Sequence, residues 1–340
     1  MSQTTKMTNK LFSLQHIEKM TDSVGMLEHC TFTEVNYSEG YATDDNARAL
    51  QVMLRLGALQ PADYIEKYST IYLGFLLSAE TENGFRQDMN ASQSWKGEGS
   101  VEEGFGRAMA ALSEASISAI TEKQRAAATQ AFDEHLSLIK KVKHPRTIAQ
   151  IIIALSYRKN TELIRLADEL AALYSAHSSD SWCWYEDEMT YDNGRLPLGM
   201  FHAYQSTGNK KYLQIALESL DFLLAQTFDE KKKCFSFVGN TGWFQKKGKK
   251  ALFDQQPVEA GSTVEVCVLA FKVTKMQKYL EYAKKALEWY SGRNIVGLSL
   301  LNPVTGGVKD GLEEHSVNQN EGAEAVLSYV LACLALQKII

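Results

Sequence analysis

The sequence predicts an all-α protein and, within that class, an (α/α)6 toroid with a small β-hairpin in one loop. Three observations lead to this prediction. About twelve segments with helical spacing alternate between segments that are apolar on every side and amphipathic ones. The apolar segments begin at intervals of roughly 40 to 65 residues, within or a little above the period of repeating helical hairpins. The long loops all precede an apolar segment.

A helix that is apolar on every side must be buried, so the apolar segments are assigned to the inner ring. They cover residues 47–56, 108–119, 145–156, 195–205, 257–273 and 323–336. The amphipathic segments are assigned to the outer ring and cover residues 10–20, 61–80, 121–143, 161–177, 209–226 and 275–290. Gly57 ends the first inner segment, and Pro61 begins the next outer one at a position that tolerates proline. Short alternating stretches with turn residues predict the β-hairpin within residues 234–253.

The predicted architecture is one domain that spans residues 1–340, because no Pro/Ser-rich linker divides the chain. An open α-solenoid is the competing architecture. The irregular repeat length argues against it, and so do the long loops before inner helices, which a toroid would gather on one face. Long loops on a rigid scaffold are where function usually lies.

Composition excludes several classes of protein. The net charge of −5 gives no basic surface for nucleic acid, and no apolar run is long enough to span a membrane. Residues 1–10 are polar and do not resemble a signal peptide. The five cysteines are odd in number and form no CxxC pair, which favours neither a zinc site nor a disulfide framework and fits a reducing cytoplasm. They are Cys30, Cys183, Cys234, Cys267 and Cys333.

Several catalytic motifs are also missing from the sequence. It has no GxGxxG or GxxxxGK[ST] motif for nucleotides, no HExxH motif for a metal and no GxSxG elbow for a serine hydrolase. We therefore expect no metal site and no cofactor.

One local pattern recurs at the predicted starts of inner helices. Asp45-Asn46-Ala47-Arg48 and Asp192-Asn193-Gly194-Arg195 both place an acid three residues before an arginine, and Glu103 to Arg107 is a looser version. An acid at a helix start can accept backbone hydrogen bonds, and an arginine on the same face can pair with it. Each acid therefore has two possible roles, a helix cap or part of a functional site.

The loops before inner helices hold most of the carboxylates, amides and tryptophans of the chain. Aromatic faces stack on the C–H faces of sugar rings, polar side chains bond the hydroxyls, and a carboxylate pair can cleave a glycosidic bond. We predict catalytic acids among Asp45, Asp192, Glu259 and Glu321. The predicted substrate-binding residues are Asp44, Arg48, Trp95, Arg107, Trp184, Tyr191, Arg195, Trp243, Asp254, Gln255, Gln256 and Asn320. The alternative is that these tryptophans fill the centre of the toroid as structural residues and that the acids cap helices and form ion pairs.

Four stretches resemble a known bacterial family. They are GYATDDNARAL (40–50), TYDNGRLP (190–197), FDQQPVEA (253–260) and NEGAE (320–324). They look like a family with a six-hairpin-glycosidase-like fold, whose members stand alone or are appended to glycosyltransferases. The resemblance implies an (α/α)6 fold and a carbohydrate context, but no catalytic pair. This sequence also departs from the family pattern, because a histidine usual in that family is missing from residues 100–107.

The leading functional hypothesis is a cytoplasmic glycoside hydrolase that acts on an oligosaccharide, and inversion is the expected course, as in related toroidal glycosidases. The alternative is a non-catalytic sugar-binding or accessory subunit that works with a separate glycosyltransferase. A helical scaffold for protein partners is a third hypothesis and would require an exposed apolar patch. Neither nucleic acid nor a membrane is an expected partner.

Overall fold

The computed structural model describes residues 12–158 and 160–339, and this part of the chain contains twelve α-helices. In chain order they are α1 (Gln15–Lys19), α2 (Thr43–Leu56), α3 (Ala62–Ala79), α4 (Glu103–Ser118), α5 (Glu122–His135), α6 (Pro145–Arg158), α7 (Glu162–His177), α8 (Arg195–Thr207), α9 (Lys210–Thr227), α10 (Pro257–Thr274), α11 (Gln277–Tyr290) and α12 (Ala323–Gln337).

The even-numbered helices form a closed inner ring. Each packs against the even-numbered helices before and after it, and α12 returns to pack against α2. Each odd-numbered helix from α3 to α11 lies outside and packs against the inner helix that precedes it in the chain, whereas α1 packs against α12. The predicted (α/α)6 toroid is confirmed, and the open solenoid is wrong because the two ends of the helical array meet.

Burial explains which helices lie inside. Most residues of α10 and α12 are buried, as their apolar sequences require, whereas α5 buries only one stripe. Side chains from all twelve helices join one hydrophobic cluster, and on this ground we propose a single domain. None of the described helices is both long and apolar enough to cross a bilayer.

Two predicted outer helices differ from the structure. The first is shorter than the predicted 10–20, since α1 covers Gln15–Lys19, and residues 10 and 11 lie outside the described residues, as does the polar start at 1–10. The helix predicted at 121–143 ends as α5 at His135 and continues as a 3₁₀ helix, Leu136–Lys141. The start of α5 carries a capping box between Thr121 and Gln124.

Short strand pairs join the loops. The described residues contain six antiparallel pairs: β1 (Cys30–Thr31) with β2 (Glu34–Val35), β3 (Tyr41–Ala42) with β6 (Asp88–Met89), β4 (Glu80–Thr81) with β5 (Gly84–Phe85), β7 (Glu188–Met189) with β10 (Phe244–Gln245), β8 (Phe228–Asp229) with β9 (Cys234–Phe235), and β11 (Gly311–Leu312) with β12 (Val317–Asn318). Two of these pairs, β3–β6 and β7–β10, connect different loops and so fix those loops relative to each other.

The hairpin predicted within residues 234–253 does not form there. Its first strand, β9, pairs with β8 at the end of α9, and its second, β10, pairs with β7 from another loop. Aromatic packing accounts for both partners. Phe235 contacts Phe228 with ring centroids 5.2 Å apart, and Phe244 contacts Trp182 at 5.1 Å.

Close approach between inner helices requires glycine at particular positions. A Cβ atom added to Gly199 in α8 would lie 2.9 Å from the Cβ and 3.0 Å from the Cα of Ala149 in α6. In contrast, a Cβ added to Gly74 in outer helix α3 would meet no atom within 4 Å. Glycine therefore has a packing role in the inner ring that it does not have at Gly74.

We predict that Gly199→Ala lowers the free energy of unfolding by about 1–3 kcal/mol, because α8 and α6 must move apart. The matched control, Gly74→Ala, should raise it by about 0.5–1 kcal/mol, since alanine has the higher helix propensity. Urea denaturation of both variants measures the difference. Equal effects of the two substitutions would contradict the packing role of Gly199.

Candidate active site

The N-terminal ends of the inner helices gather on one side of the toroid, which we call the loop face. Arg48 of α2 donates to Glu324 of α12, and the Tyr191 hydroxyl before α8 donates to Glu103 of α4 at 2.5 Å. The side-chain amide of Asn193 donates to Glu259 of α10 at 3.0 Å. These contacts between the starts of different inner helices bring the long loops together, as expected for a toroid.

The recurring acid–arginine pattern forms ion pairs and does not cap the helices. Asp45 lies 2.8 Å from Arg48, and Asp192 lies 3.3 Å from Arg195. The N-cap residues of α2 and α8 are Ala42 and Gly194, neither of which has a side-chain acceptor. The helix-cap interpretation of these two acids is therefore wrong, whereas the ion-pair interpretation holds.

A continuous series of ion pairs runs through the centre of the ring, and we call it the axial ion-pair chain. Its successive contacts are Glu103–Arg107 (2.6 Å), Arg107–Asp192 (2.9 Å), Asp192–Arg195 (3.3 Å), Arg195–Glu265 (3.0 Å), Glu265–Arg55 (2.6 Å) and Arg55–Glu114 (2.9 Å). The chain connects α2, α4, α8 and α10. Because all of these side chains except Glu103 are buried or nearly so, they require their partners.

Asp192 lies at the centre of this chain in a left-handed backbone conformation, with φ 46°. A residue other than glycine adopts this conformation at an energetic cost, so the surroundings must hold it there. Burial would raise the pKa of Asp192, but the guanidinium groups of Arg195, Arg107 and Arg48 outweigh it, and the pKa lies well below its ordinary value. Asp192 is thus an ionised carboxylate shared between arginines.

A pocket of about 240 Å³ opens on the loop face, and we call it the loop-face pocket. It lies between the starts of α2, α10 and α12. Polar side chains dominate its lining, and these are Glu28, His29, Asp44, Asp45, Gln256, Asp310 and Glu324. Such a lining offers many hydrogen-bond acceptors and suits a ligand with many donors, such as a polyhydroxylated one.

The carboxyl groups of the pocket differ in their protonation. Burial would raise the pKa of Asp44, but Arg48, Arg107 and Gln87 outweigh it, and the pKa of Asp44 is lowered. Burial and the neighbouring Asp44 carboxylate raise the pKa of Asp45 well above its ordinary value. Burial likewise raises the pKa of Glu324, against the attraction of Arg48. Neighbouring acids of the pocket therefore have pKa values displaced in opposite directions, an arrangement that suits acid/base chemistry.

Arg48 determines how two of these carboxyls are placed. Its Nη1 donates to Asp44 at 2.7 Å, while its Nη2 donates to Glu324. The side chain of Glu324 is 40% exposed and that of Asp44 is 21% exposed, so both can be reached from the pocket. Asp45, also bonded to Nη1, is 5% exposed and lies deeper.

A second group of ionisable side chains lies at the rim. His29 lies 3.3 Å from Glu28, and this hydrogen bond raises the pKa of His29 to about 9 against the opposing effect of burial. Burial raises the pKa of Asp310, which accepts a hydrogen bond from the Gly322 N–H at 2.6 Å. His29 is therefore a protonated donor at neutral pH and would face the acceptors of a ligand.

Three of the four predicted catalytic acids lie away from the pocket lining, and one of them, Asp192, belongs to the axial ion-pair chain. Glu259 is buried, bonded to Asn193, and burial raises its pKa to about 8. Glu321 is buried and accepts from Asn302 at 2.6 Å and Thr305 at 2.7 Å, with Lys309 at 2.8 Å. Glu321 thereby anchors the loop before β11, and Asp45 is the predicted catalytic acid that lines the pocket.

The predicted aromatic platforms are placed differently from one another. Trp184 is fully buried against Tyr185 and Phe222, so it presents no face to a ligand and the platform role is wrong for this residue. Trp95 is partly buried against Phe75, with ring centroids 5.0 Å apart. Trp243 is half-buried and lies 6.3 Å from the ring of Tyr191.

Among the predicted polar contacts, Gln256 lines the pocket but Gln255 has a structural role. The Gln255 side chain accepts from the Phe237 N–H at 2.9 Å and the Trp289 indole at 3.2 Å, and it donates to Leu252. Burial raises the pKa of Asp254, which lies outside the pocket lining. Asn320 accepts from the Phe32 N–H at 2.8 Å and so fixes a loop.

Sequence reasoning missed Glu28, His29 and Glu324 as pocket residues, and it noted Asp310 only as one of the polar residues of the last loop. A signal existed for Glu324, because it is the second residue of inner helix α12, as Asp44 is of α2. The other three lie on loops, and their approach to the helix starts depends on backbone contacts such as the hydrogen bond from the Ala323 N–H to the Glu28 carbonyl at 2.9 Å. Among the described residues, no group of three or more potential ligands is placed to hold a metal ion.

Solved structures share this fold. A D-mannose isomerase is 12% identical with a TM-score of 0.73, and the match covers 100% of both chains. A cellobiose 2-epimerase from Bacillus thermoamylovorans is 11% identical with a TM-score of 0.75 over 98% of both chains. An inactive variant of an α-1,6-mannanase from Salegentibacter sp. HEL1_6, in complex with α-1,6-mannotetrose, is 12% identical with a TM-score of 0.67 over 100% of both chains. No family model and no curated protein matches the sequence. At such low identity these similarities establish the (α/α)6 fold alone.

The axial chain leads to a first prediction for this site. Arg107→Met should lower the free energy of unfolding by about 3–5 kcal/mol, because Glu103 and Asp192 would lose a buried partner. The matched control is Lys278→Met, since Lys278 and Asp221 form an ion pair in which both side chains are about half exposed. That change should cost less than about 1 kcal/mol. Urea denaturation compares the two, and similar losses would contradict the importance of the axial chain.

Glu259 leads to a prediction about pH. Unfolded, its carboxyl ionises near the ordinary pKa of 4.5, whereas the folded group keeps its proton up to about pH 8. The folded state holds the extra proton between these values, so the free energy of unfolding falls as pH rises through that window, by a few kcal/mol in order of magnitude. Glu259→Gln should flatten this slope in urea titrations. The exposed Glu281→Gln should leave it unchanged, and a slope that survives Glu259→Gln would contradict the assignment.

Proposed function

We propose that this protein is a carbohydrate-active enzyme that cleaves an oligosaccharide in the loop-face pocket by acid/base chemistry. The observation that carries the proposal is the pair Asp44 and Glu324, which share Arg48 and have pKa values displaced in opposite directions. Glycosidic cleavage needs one protonated carboxyl and one carboxylate beside the same bond. The pocket offers both at the starts of adjacent inner helices.

In the proposed mechanism the Glu324 carboxyl gives its proton to the glycosidic oxygen as the bond to the leaving sugar breaks. The Asp44 carboxylate serves as the base that activates a water molecule, which adds to the anomeric carbon. Arg48 orients both groups, and Gln87, which donates to Asp44 at 2.6 Å, holds the other carboxylate oxygen. Gln256 and His29 would bond hydroxyl groups of the sugar.

The fold similarities support a carbohydrate as the substrate, because the similar proteins include an α-1,6-mannanase and a cellobiose 2-epimerase. They also favour a second candidate reaction, sugar isomerisation or epimerisation, since the isomerase and the epimerase give TM-scores of 0.73 and 0.75 against 0.67 for the mannanase. In that reaction the carboxylate would remove the proton from the carbon beside the carbonyl of an open-chain sugar. The link to a glycosyltransferase stays a prediction.

One experiment separates these reactions. Purified protein is incubated in D₂O with mannose, cellobiose and α-1,6-manno-oligosaccharides while NMR and a reducing-end assay follow the products. Hydrolysis gives new reducing ends, and the first anomer released distinguishes inversion, the expected course, from retention. Epimerisation gives deuterium at C2 and isomerisation gives deuterium at C1 of the ketose product, in both cases with no new reducing ends. A thermal shift without either product would contradict the enzyme and support the non-catalytic sugar-binding role.

The variant that tests the mechanism is Glu324→Gln. It should lower turnover by about 100-fold or more, because the proton donor is lost while the side chain keeps its shape. Its melting temperature should stay close to that of the wild type, since Glu324 is partly exposed. The control is Asp221→Asn on outer helix α9, which should retain full activity. Full activity of Glu324→Gln would remove this residue from the mechanism.

A further inference from the structure

An exposed phenylalanine lies at the tip of the β1–β2 hairpin on the loop face. Phe32 is 62% exposed, and its backbone has a φ of 54°. It occupies the first central position of a two-residue hairpin loop, where a positive φ favours glycine. A large apolar side chain at this position destabilises the fold for two reasons: the backbone is strained, and the aromatic ring is exposed to water. Fold stability therefore does not account for Phe32.

The hairpin tip is held firmly in spite of this strain. The Phe32 N–H donates to the Asn320 side chain at 2.8 Å, and the Phe32 carbonyl accepts from the Glu321 N–H at 3.0 Å. On its other side, Lys19 donates to the Thr33 carbonyl at 2.8 Å and to Glu34 at 3.0 Å. The aromatic ring is thus carried on a backbone that its neighbours fix on both sides.

The same contacts relate Phe32 to the loop-face pocket. Segments 28–32 and 320–323 run side by side, with hydrogen bonds from Ala323 to Glu28 at one end and from Glu321 to Phe32 at the other. Glu28 and Ala323 line the pocket, whereas Phe32 does not. Four extended residues span at most roughly 13 Å, so Phe32 lies close enough to contact a ligand chain that extends out of the pocket.

We propose that Phe32 is a distal sugar-binding platform, on which a ring of an oligosaccharide stacks outside the loop-face pocket. The inference rests on the proposed function and deepens it, because it makes the preferred ligand longer than a disaccharide. The flat apolar face of phenylalanine suits the C–H face of a sugar ring, and the fixed hairpin reduces the entropy lost on binding. The acid-lined pocket takes one end of the chain, and Phe32 supports the sugars that extend from it.

The test uses a substitution that removes the ring and relieves the strain together. Phe32→Gly should keep or raise the melting temperature, since glycine accepts a positive φ. It should raise the Kd for α-1,6-mannotetrose or cellotetraose by about three- to tenfold and change the Kd for mannobiose or cellobiose by less than about twofold. Phe32→Trp should bind both lengths as the wild type does. Calorimetric titration gives the Kd values.

The matched control is Lys233→Gly, because Lys233 has the same φ of 54°, is exposed and does not line the pocket. It should change stability as Phe32→Gly does and leave all Kd values unchanged. If Phe32→Gly binds the tetrasaccharide as tightly as the wild type does, Phe32 is not a sugar-binding platform. If its affinity for the disaccharide and for the tetrasaccharide falls equally, the platform is not distal to the pocket. A change in sedimentation with no change in Kd assigns Phe32 to self-association instead. If the wild type binds none of these saccharides, the proposed function fails as well.

Discussion

The structure depends on how charge is accommodated along the axis of the toroid. Six inner helices meet around a centre that holds arginines and carboxylates as well as apolar groups, and the axial ion-pair chain crosses it from Glu103 to Glu114. A charge in such surroundings is tolerable only when it is paired and hydrogen-bonded, so every member fixes the position of its neighbours. Arginine suits this role because its planar guanidinium group has several N–H donors and can pair with two acids at once. Arg107 does so with Glu103 and Asp192.

The same arrangement divides the acids of the loop face into two groups. Asp192 is enclosed by arginines of the axial ion-pair chain. Asp44 and Glu324 also contact an arginine, yet they border the pocket and remain partly exposed. Both share Arg48, but the pKa of Asp44 is lowered by the arginines and by Gln87, whereas the pKa of Glu324 is raised. Acid/base chemistry is therefore best placed at the pocket, and the axis beneath it supplies the positive charge that keeps Asp44 ionised.

Rigidity of the loops is the second requirement for such a site. Six residues other than glycine, among them Phe32, Asp192 and Trp243, have positive φ angles in described loops that precede inner helices. Strain of this kind persists only where surrounding contacts hold it, and here strand pairs between separate loops and hydrogen bonds from neighbouring segments do so. The loop face thus combines a pocket of fixed charge with side chains held in costly conformations, an arrangement that folding alone does not require.

The sequence by itself determined the all-α class, the alternation of inner and outer helices and the ion pairs within a single helix start, such as Asp45 with Arg48. These features follow from local periodicity and from spacing along one helix, which a sequence displays directly. Only the tertiary structure determines which strands pair, how Trp184 is enclosed and which acids line the pocket. Glu28, Asp310 and Glu324 converge from distant parts of the chain. How deeply each acid is buried, and which charges surround it, depends on residues that are far apart in the sequence. Spacing along the chain does not specify either property.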